Sequence, residues 1–279
     1  MTPRAAPRPS DAVAAAAGTL VFCHANSFVA GTYEPLFDVW RGAGWHVLAP
    51  TKLGHDPRYK VTDNWPHLRD ELLAFVHAAS PGRPVALVGH SMGGCLGVLA
   101  ASREPALARA VVLLDAPIVA GWRAHGFRML KASGLIARAS PAKVSRRRRT
   151  HWPSLAAARE HFAAKRVFAT WDARVFDAWM QHGFEPAADG GVQLAFHRDI
   201  ETRLYNTLPH HVEPLLRRHP LHCPLGYIGG TRSAERHQLG LGYVHRLAAA
   251  RWREIEGTHL FPMEKPAETA HAVLELLSA

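Results

Sequence analysis

Short apolar runs recur along the chain at intervals that suit a strand–helix repeat. Residues 19–23, 45–50, 84–88, 110–115 and 224–230 are dominated by Val, Leu, Ile, Phe, Ala and Gly, the texture of strands buried on both faces rather than on one. Between them the spacing changes to that of helices. Leu36, Phe37 and Trp40 share one face of a helix over 32–41; Leu68, Leu72, Leu73, Phe75 and Val76 recur through a helix ending near Ala79, with Asn64 offered as its cap. Residues 95–102 and 235–249 read as further helices, 251–256 as a last strand, and Ala270, Val273, Leu274 and Leu277 as the inner face of a closing helix. This alternation predicts an α/β fold with a predominantly parallel central sheet and helices on both faces.

From 118 to 220 the alternation stops. Trp122, Trp152, Phe162, Phe168, Trp171, Phe176, Trp179 and Phe184 lie among basic helical stretches, and only 191–196 looks extended. The reading is an inserted helical lid whose aromatics are mostly its own core. The predicted organisation is therefore a disordered tail at 1–17, a core formed by 18–117 and 221–279, and a lid at 118–220.

Composition narrows the class. At 279 residues and 48% hydrophobic the chain can bury a large core. No apolar run reaches the ~20 residues a membrane helix needs, and the short, weakly hydrophobic Ala-rich start does not resemble a signal peptide. Three cysteines, Cys23, Cys95 and Cys223, sit in or beside predicted core elements and read as small buried hydrophobes in a reducing, cytoplasmic setting. The 19 histidines show no metal-ligand spacing, so neither metal nor cofactor is expected. The net charge of +10 and the run Arg146-Arg147-Arg148-Arg149 invite a nucleic-acid reading. No nucleic-acid motif or aromatic interleaving accompanies them, which leaves a solvated basic composition with some preference for acidic or phosphate-bearing small molecules.

The chemistry concentrates at Gly89-His90-Ser91-Met92-Gly93, between the strand at 84–88 and the helix at 95–102. G-x-S-x-G in that context is a strand–turn–helix bend that lifts Ser91 as a nucleophile. The helix that follows presents the unpaired N–H of Met92 to a developing oxyanion. The loop after the first strand, His24-Ala25-Asn26-Ser27, lies at the same sheet edge, and His24 and Asn26 are its candidate oxyanion- and substrate-binding residues, with Asn26 N–H as the second donor, unless the two serve only to tie the loop together. A serine needs a base, and His259 in Gly257-Thr258-His259, after the last strand, is its candidate.

The order of these elements resembles the α/β-hydrolase superfamily over nearly the whole chain. The resemblance implies a Ser–acid–His triad, a hydrolytic reaction on a small molecule without a cofactor, and often a helical lid. The chain departs from the pattern in having Ala25 where relatives have Gly, and too short an N-terminal segment for the family's first hairpin. A third departure bears on the acid, because Ser233 stands where the family commonly has Asp. Two carboxylates remain: Asp115, at the end of the strand after the nucleophile, as in members such as haloalkane dehalogenases, and Glu235. Asp115 is preferred between them. The expected activity is cleavage of a carboxylic ester or thioester through an acyl-enzyme. The rivals are carbon–carbon bond hydrolysis or lysis on the same scaffold and a catalytically silent binding protein.

Overall fold

The computed structural model describes residues 17–136, 141–188 and 190–279, so the tail expected at 1–17 lies, but for Ala17, outside the described residues. The strands are β1 Gly18–Cys23, β2 Trp45–Leu48, β3 Val85–His90, β4 Ala108–Leu114, β5 His151–Trp152, β6 Phe184–Pro186, β7 Val192–Leu194, β8 Leu225–Gly230 and β9 Trp252–Ile255. Six of them form one sheet in the order β2-β1-β3-β4-β8-β9, and each of these pairings is parallel. The protein is thus an α/β structure with a parallel core, as the alternation predicts. With β2 pairing directly on β1 in parallel, no hairpin precedes the sheet among the described residues, in keeping with the short N-terminal segment.

Period-two alternation along each strand feeds two cores. Leu20, Phe22, Val88, Val112, Leu114 and Ile228 point to one side, where Leu36 and Trp40 of α1 (Glu34–Gly42) meet Val273 and Leu276 of the helix Pro266–Ser278. Val21, Leu87, Val111, Leu113 and Tyr227 point to the other, against Leu68 and Leu72 of α2 (Pro66–Ala79) and Leu96 and Leu99 of α3 (Met92–Arg103). Every residue of β3 and of β8 is buried, which is why both read as unbroken apolar runs. Because the sheet is parallel, the loops that follow its strands gather at one edge. Residues 24–28, Ser91, Asp115, Ser233 and His259 are all brought there by the same topology.

Three local expectations need correction. Asn64 does not cap α2: that helix starts at Pro66 with Trp65 in the left-handed region before it, and the Asn64 side chain instead accepts from His210 N–H and bonds His211 Nδ1. The single helix expected over 235–249 is two, Ala234–Leu239 and Gly242–Ala248, because Gly240 at φ 79° turns the chain between them. Between β4 and β8 the chain holds a three-stranded antiparallel sheet, β5-β7-β6, where only 191–196 was expected to be extended. Strands of two and three residues are too short for alternation to register.

The rings around this small sheet pack on one another but form no separate core, because Trp152, Phe162, Trp171 and Trp179 are continuous with the buried cluster of Leu20, Phe22 and Trp40 on one side of the main sheet. Phe162 meets Trp179 at 4.7 Å and Phe168 meets Trp171 at 4.7 Å between centroids, while Trp122, 75% exposed, stands apart. The three cysteines are free thiols.

Close approach to the nucleophile bend makes one glycine irreplaceable. A Cβ on Gly93 would lie 2.0 Å from the Cys23 carbonyl oxygen, a main-chain atom of β1 that cannot swing aside, whereas one on Gly97 would meet Leu87 Cβ at an ordinary 3.6 Å. Gly93→Ala is therefore expected to destabilise the fold by about 1–3 kcal/mol. Gly97→Ala, inside the same helix, is expected to be neutral or to gain about 0.5–1 kcal/mol. Urea midpoints of the two variants test the contrast, and equal midpoints would contradict it.

Candidate active site

Ser91 sits between β3 and α3 at φ 51°, ψ −113°, a conformation that non-glycine residues hold only when their surroundings force it. The forcing contacts are visible. A Cβ on Gly89 would fall 2.3 Å from Gly93 C, so the backbone doubles back with no room for side chains, and Ser91 N–H is spent on Leu114 O at 2.9 Å. Met92 opens α3, and its N–H has no intrahelical acceptor. Ser27 and Asp115 also adopt positive φ, 78° and 42°. Half of the six non-glycine residues of this kind among those described thus lie in the loops that converge on Ser91. Strain costing roughly 1–3 kcal/mol per residue is concentrated where chemistry is expected.

His259 lies at the same edge, its ring 5.0 Å from that of His90, the neighbour of Ser91. Its Nδ1 is 2.7 Å from Asp115 Oδ2 and 3.8 Å from Glu235 Oε2. Of the two acids proposed from sequence, Asp115 makes the hydrogen bond, and Glu235, 38% exposed, adds charge from further away. Ser233, in the place of the expected Asp, donates its hydroxyl to Asp115 Oδ2. The imidazole therefore does not lack a carboxylate because residue 233 is serine.

Asp115 is fully buried and saturated with donors. Tyr227 hydroxyl and Gly230 N–H reach Oδ1 at 3.2 and 3.3 Å, and Ser233 and His259 reach Oδ2. Burial opposes its charge, yet the His259 bond and charge, with Ser233, outweigh it and hold the carboxyl below its ordinary range. For His259, burial likewise opposes the imidazolium. The Asp115 hydrogen bond and the charges of Glu235 and Asp115 prevail, and its pKa is raised. Asp115, Glu235 and His259 are close enough together to suggest a cation site. All four lone-pair directions of Asp115 are already taken by donors, so a metal there would have to break bonds that are made.

No residue pattern signals what joins these loops. Ala25 N–H donates to the Tyr33 hydroxyl at 3.3 Å, Tyr33 bonds His90 Nδ1 at 2.8 Å, and His90 Nε2 bonds the His259 carbonyl at 2.9 Å. Since a carbonyl can only accept, Nε2 carries the proton and Nδ1 accepts from Tyr33. Burial, with the nearby His259, pushes the His90 pKa down to about 3, so this arrangement is fixed throughout the working pH range. Nothing in a buried His next to the nucleophile distinguishes it in sequence from any other x in G-x-S-x-G.

The loop after β1 is braced from two directions. His24 is fully buried; Nδ1 bonds Ala25 O and Nε2 accepts from Leu53 N–H at 2.8 Å. Both nitrogens are spent inside the protein, so His24 ties the loop, the second of the two roles considered for it. Asn26 Nδ2 donates to Glu201 O at 3.2 Å and Ser27 Oγ to Glu201 Oε1 at 2.7 Å, anchoring the loop to the helix Arg198–Asn206. The side chain of Asn26 thus turns away while its backbone stays with the loop at the site.

A cavity of about 810 Å³ opens from this loop at Ser27 and Phe28 and from Leu260, next to His259. Trp171, Trp179, Phe162 and Phe168 form its apolar wall, and Lys143, Arg147, Arg148, Arg149 and Lys165 its basic side.

Comparison with known proteins shows the family and the fold. A family model described as the alpha/beta hydrolase family matches residues 20–272. Monoglyceride lipase of Homo sapiens is 33% identical over 112 residues, 38% of this chain and 37% of that protein, so the match spans little more than a third of the lipase's length. Among solved structures, E-2-(acetamidomethylene)succinate hydrolase superposes with a TM-score of 0.71 at 20% identity, covering 94% of this chain and 92% of that one. The thioesterase domain from the curacin biosynthetic pathway gives 0.68 at 18%, over 92% and 90%, and an M. tuberculosis esterase 0.68 at 18%, over 95% and 87%. At these identities the structural likeness is one of fold.

Proposed function

The chain belongs to the alpha/beta hydrolase family, and on that premise we propose that it is a serine hydrolase cleaving a carboxylic ester or thioester of a small molecule through an acyl-enzyme on Ser91. The observation that carries the reading is the 2.7 Å bond from His259 Nδ1 to the buried, donor-saturated Asp115. An imidazole held this way keeps its proton on Nδ1 and offers Nε2 as a base.

In the proposed reaction, Ser91 Oγ attacks the carbonyl carbon as His259 Nε2 takes its proton. The carbonyl oxygen becomes an oxyanion held by the N–H groups of Met92 and Asn26. The tetrahedral intermediate collapses, the bond to the leaving alcohol or thiol breaks, and His259 returns the proton to it. Water, deprotonated by the same nitrogen, then attacks the acyl-enzyme and releases the acid. No step requires a metal or organic cofactor.

Support for an ester or thioester comes from the names of the similar proteins, a lipase, a thioesterase and an esterase. The segment 118–220, whose aromatics wall the cavity beside Ser27 and Leu260, supports a lid that sets substrate shape.

A fluorophosphonate probe tests the reading without knowledge of the substrate. The native protein is expected to take up one equivalent, recovered on the peptide that contains Ser91. A folded protein that stays unlabelled, or is labelled elsewhere, would overturn the serine-nucleophile assignment.

A further inference from the structure

The cavity beside the site is unlike an ordinary acyl pocket in its charge. Five of the residues that line it are basic and none is acidic. Three of the five have work of their own. Arg148 is ion-paired with the buried Glu201 at 3.2 Å, Arg149 donates to His151 O and stacks on Trp152, and Lys165 lies over the Phe162 ring at 4.7 Å. Lys143 and Arg147, on and just after the short helix Ala142–Ser145, have no carboxylate within ion-pair distance among the described residues. Both are exposed, and two like charges in one lining, with no counter-charge among the described residues, repel each other and lower the energy of any anion placed between them.

The wall carries a second, independent sign. Trp171 is 8% exposed, and neither its indole N–H nor His161 Nε2, also in the lining, has a hydrogen-bond partner among the described residues. Buried polar atoms are rarely left unsatisfied. An indole N–H is a donor only, and an acceptor on a ligand packed against this wall would satisfy it.

We propose that this cavity binds an anionic ester or thioester, with its apolar chain between the aromatic rings and a carboxylate or phosphate group at Lys143 and Arg147. The assignment deepens the hydrolase reading above and rests on it for the word ester. The same lining joins Ser27 and Leu260, beside the catalytic edge, to Lys143 and Arg147, so the substrate is bifunctional: a cleavable carbonyl at the catalytic edge and an anion held by these two cations. Carboxylate and phosphate present the same chemistry to these cations. The first would belong to a dicarboxylic half-ester, the second to a phosphorylated leaving group.

Calorimetric titration of the full chain with decanoate, decyl phosphate and neutral decanamide, each below its aggregation concentration, tests the proposal. One or both anions are expected to bind about tenfold more tightly than decanamide, the effect of two partly solvated charge contacts; whichever does so names the source. The advantage is expected to shrink in 1 M salt, where the Debye length is about 3 Å, and to vanish in Lys143→Glu/Arg147→Glu. The milder Lys143→Gln/Arg147→Gln variant reports the same loss should charge reversal disturb the fold.

Equal affinity for all three probes, or an anion preference that survives both double variants, would overturn the proposal. Turnover of neutral p-nitrophenyl butyrate by the native protein is read in parallel. Its persistence with no anion preference sinks this inference alone, while its absence counts against the hydrolase reading and leaves the binding result standing.

Discussion

Ser91→Ala is expected to lower the turnover of p-nitrophenyl butyrate by about 10⁵- to 10⁶-fold, the size of loss seen when a nucleophile that works as one unit with its base is removed. The hydroxyl is not supported by a parallel device. With Oγ gone, His259 and Asp115 still form their 2.7 Å pair, but water would have to attack without covalent attachment and without the positioning that the bend at φ 51° provides. The residual rate is expected to come from oxyanion stabilisation and binding alone. The backbone geometry is set by Gly89 and Gly93 rather than by the serine side chain, so the variant should unfold at the native urea concentration. A Ser91→Ala protein that is folded and retains more than a few per cent of native turnover would remove Ser91 from the mechanism.

The second large effect separates the two acids. Asp115→Asn is expected to cost about 10⁴-fold in kcat/KM, close to 5 kcal/mol of barrier. An asparagine can turn its NH₂ toward Nδ1 and hold the imidazole in the tautomer whose Nε2 is already protonated. Glu235→Gln, by contrast, removes only a charge 3.8 Å from the ring and outside hydrogen-bond reach, and its cost is expected to stay within tenfold.

The pH profile gives a second readout. The proposed reaction needs neutral His259, whose folded pKa is raised above the ordinary 6.5. In the native enzyme kcat/KM is therefore expected to be full at high pH and to fall as pH drops through an apparent pKa above 6.5. Losing either carboxylate moves that limb toward lower pH. Asp115→Asn does so with a collapse of the plateau, and Glu235→Gln with the plateau nearly kept. The opposite ranking, Glu235→Gln abolishing activity and Asp115→Asn sparing it, would reassign the acid.

How much of this was readable in the chain depended on how local the determinant is. β3, Ser91 and α3 are consecutive, so their pattern was complete in sequence. β1, β4 and β8 are buried on both sides and could hardly be read otherwise. The acid was ambiguous because Asp115 and Glu235 both follow strands that end at one edge, and sequence does not convey a difference between 2.7 and 3.8 Å.

Where a single residue overrides a period, the reading failed: Gly240 splits one helix into two, and Trp65, not Asn64, precedes α2. Of the basic run at 146–149, expected to be solvated, Arg146, Arg147 and Arg149 are exposed, and only Arg148, paired with Glu201, is half-buried. Glu201 lies more than fifty positions away, and the wall formed by Trp171 and Phe162 exists only once the intervening helices pack.

Glu201 also couples two parts of the molecule. It receives Ser27 and Asn26 from the loop that carries the proposed second oxyanion donor, and it pairs with Arg148 on the basic side of the cavity. The loop after β1 and the basic side of the cavity are thereby moored to a single buried residue, and neither can shift without straining the attachment of the other.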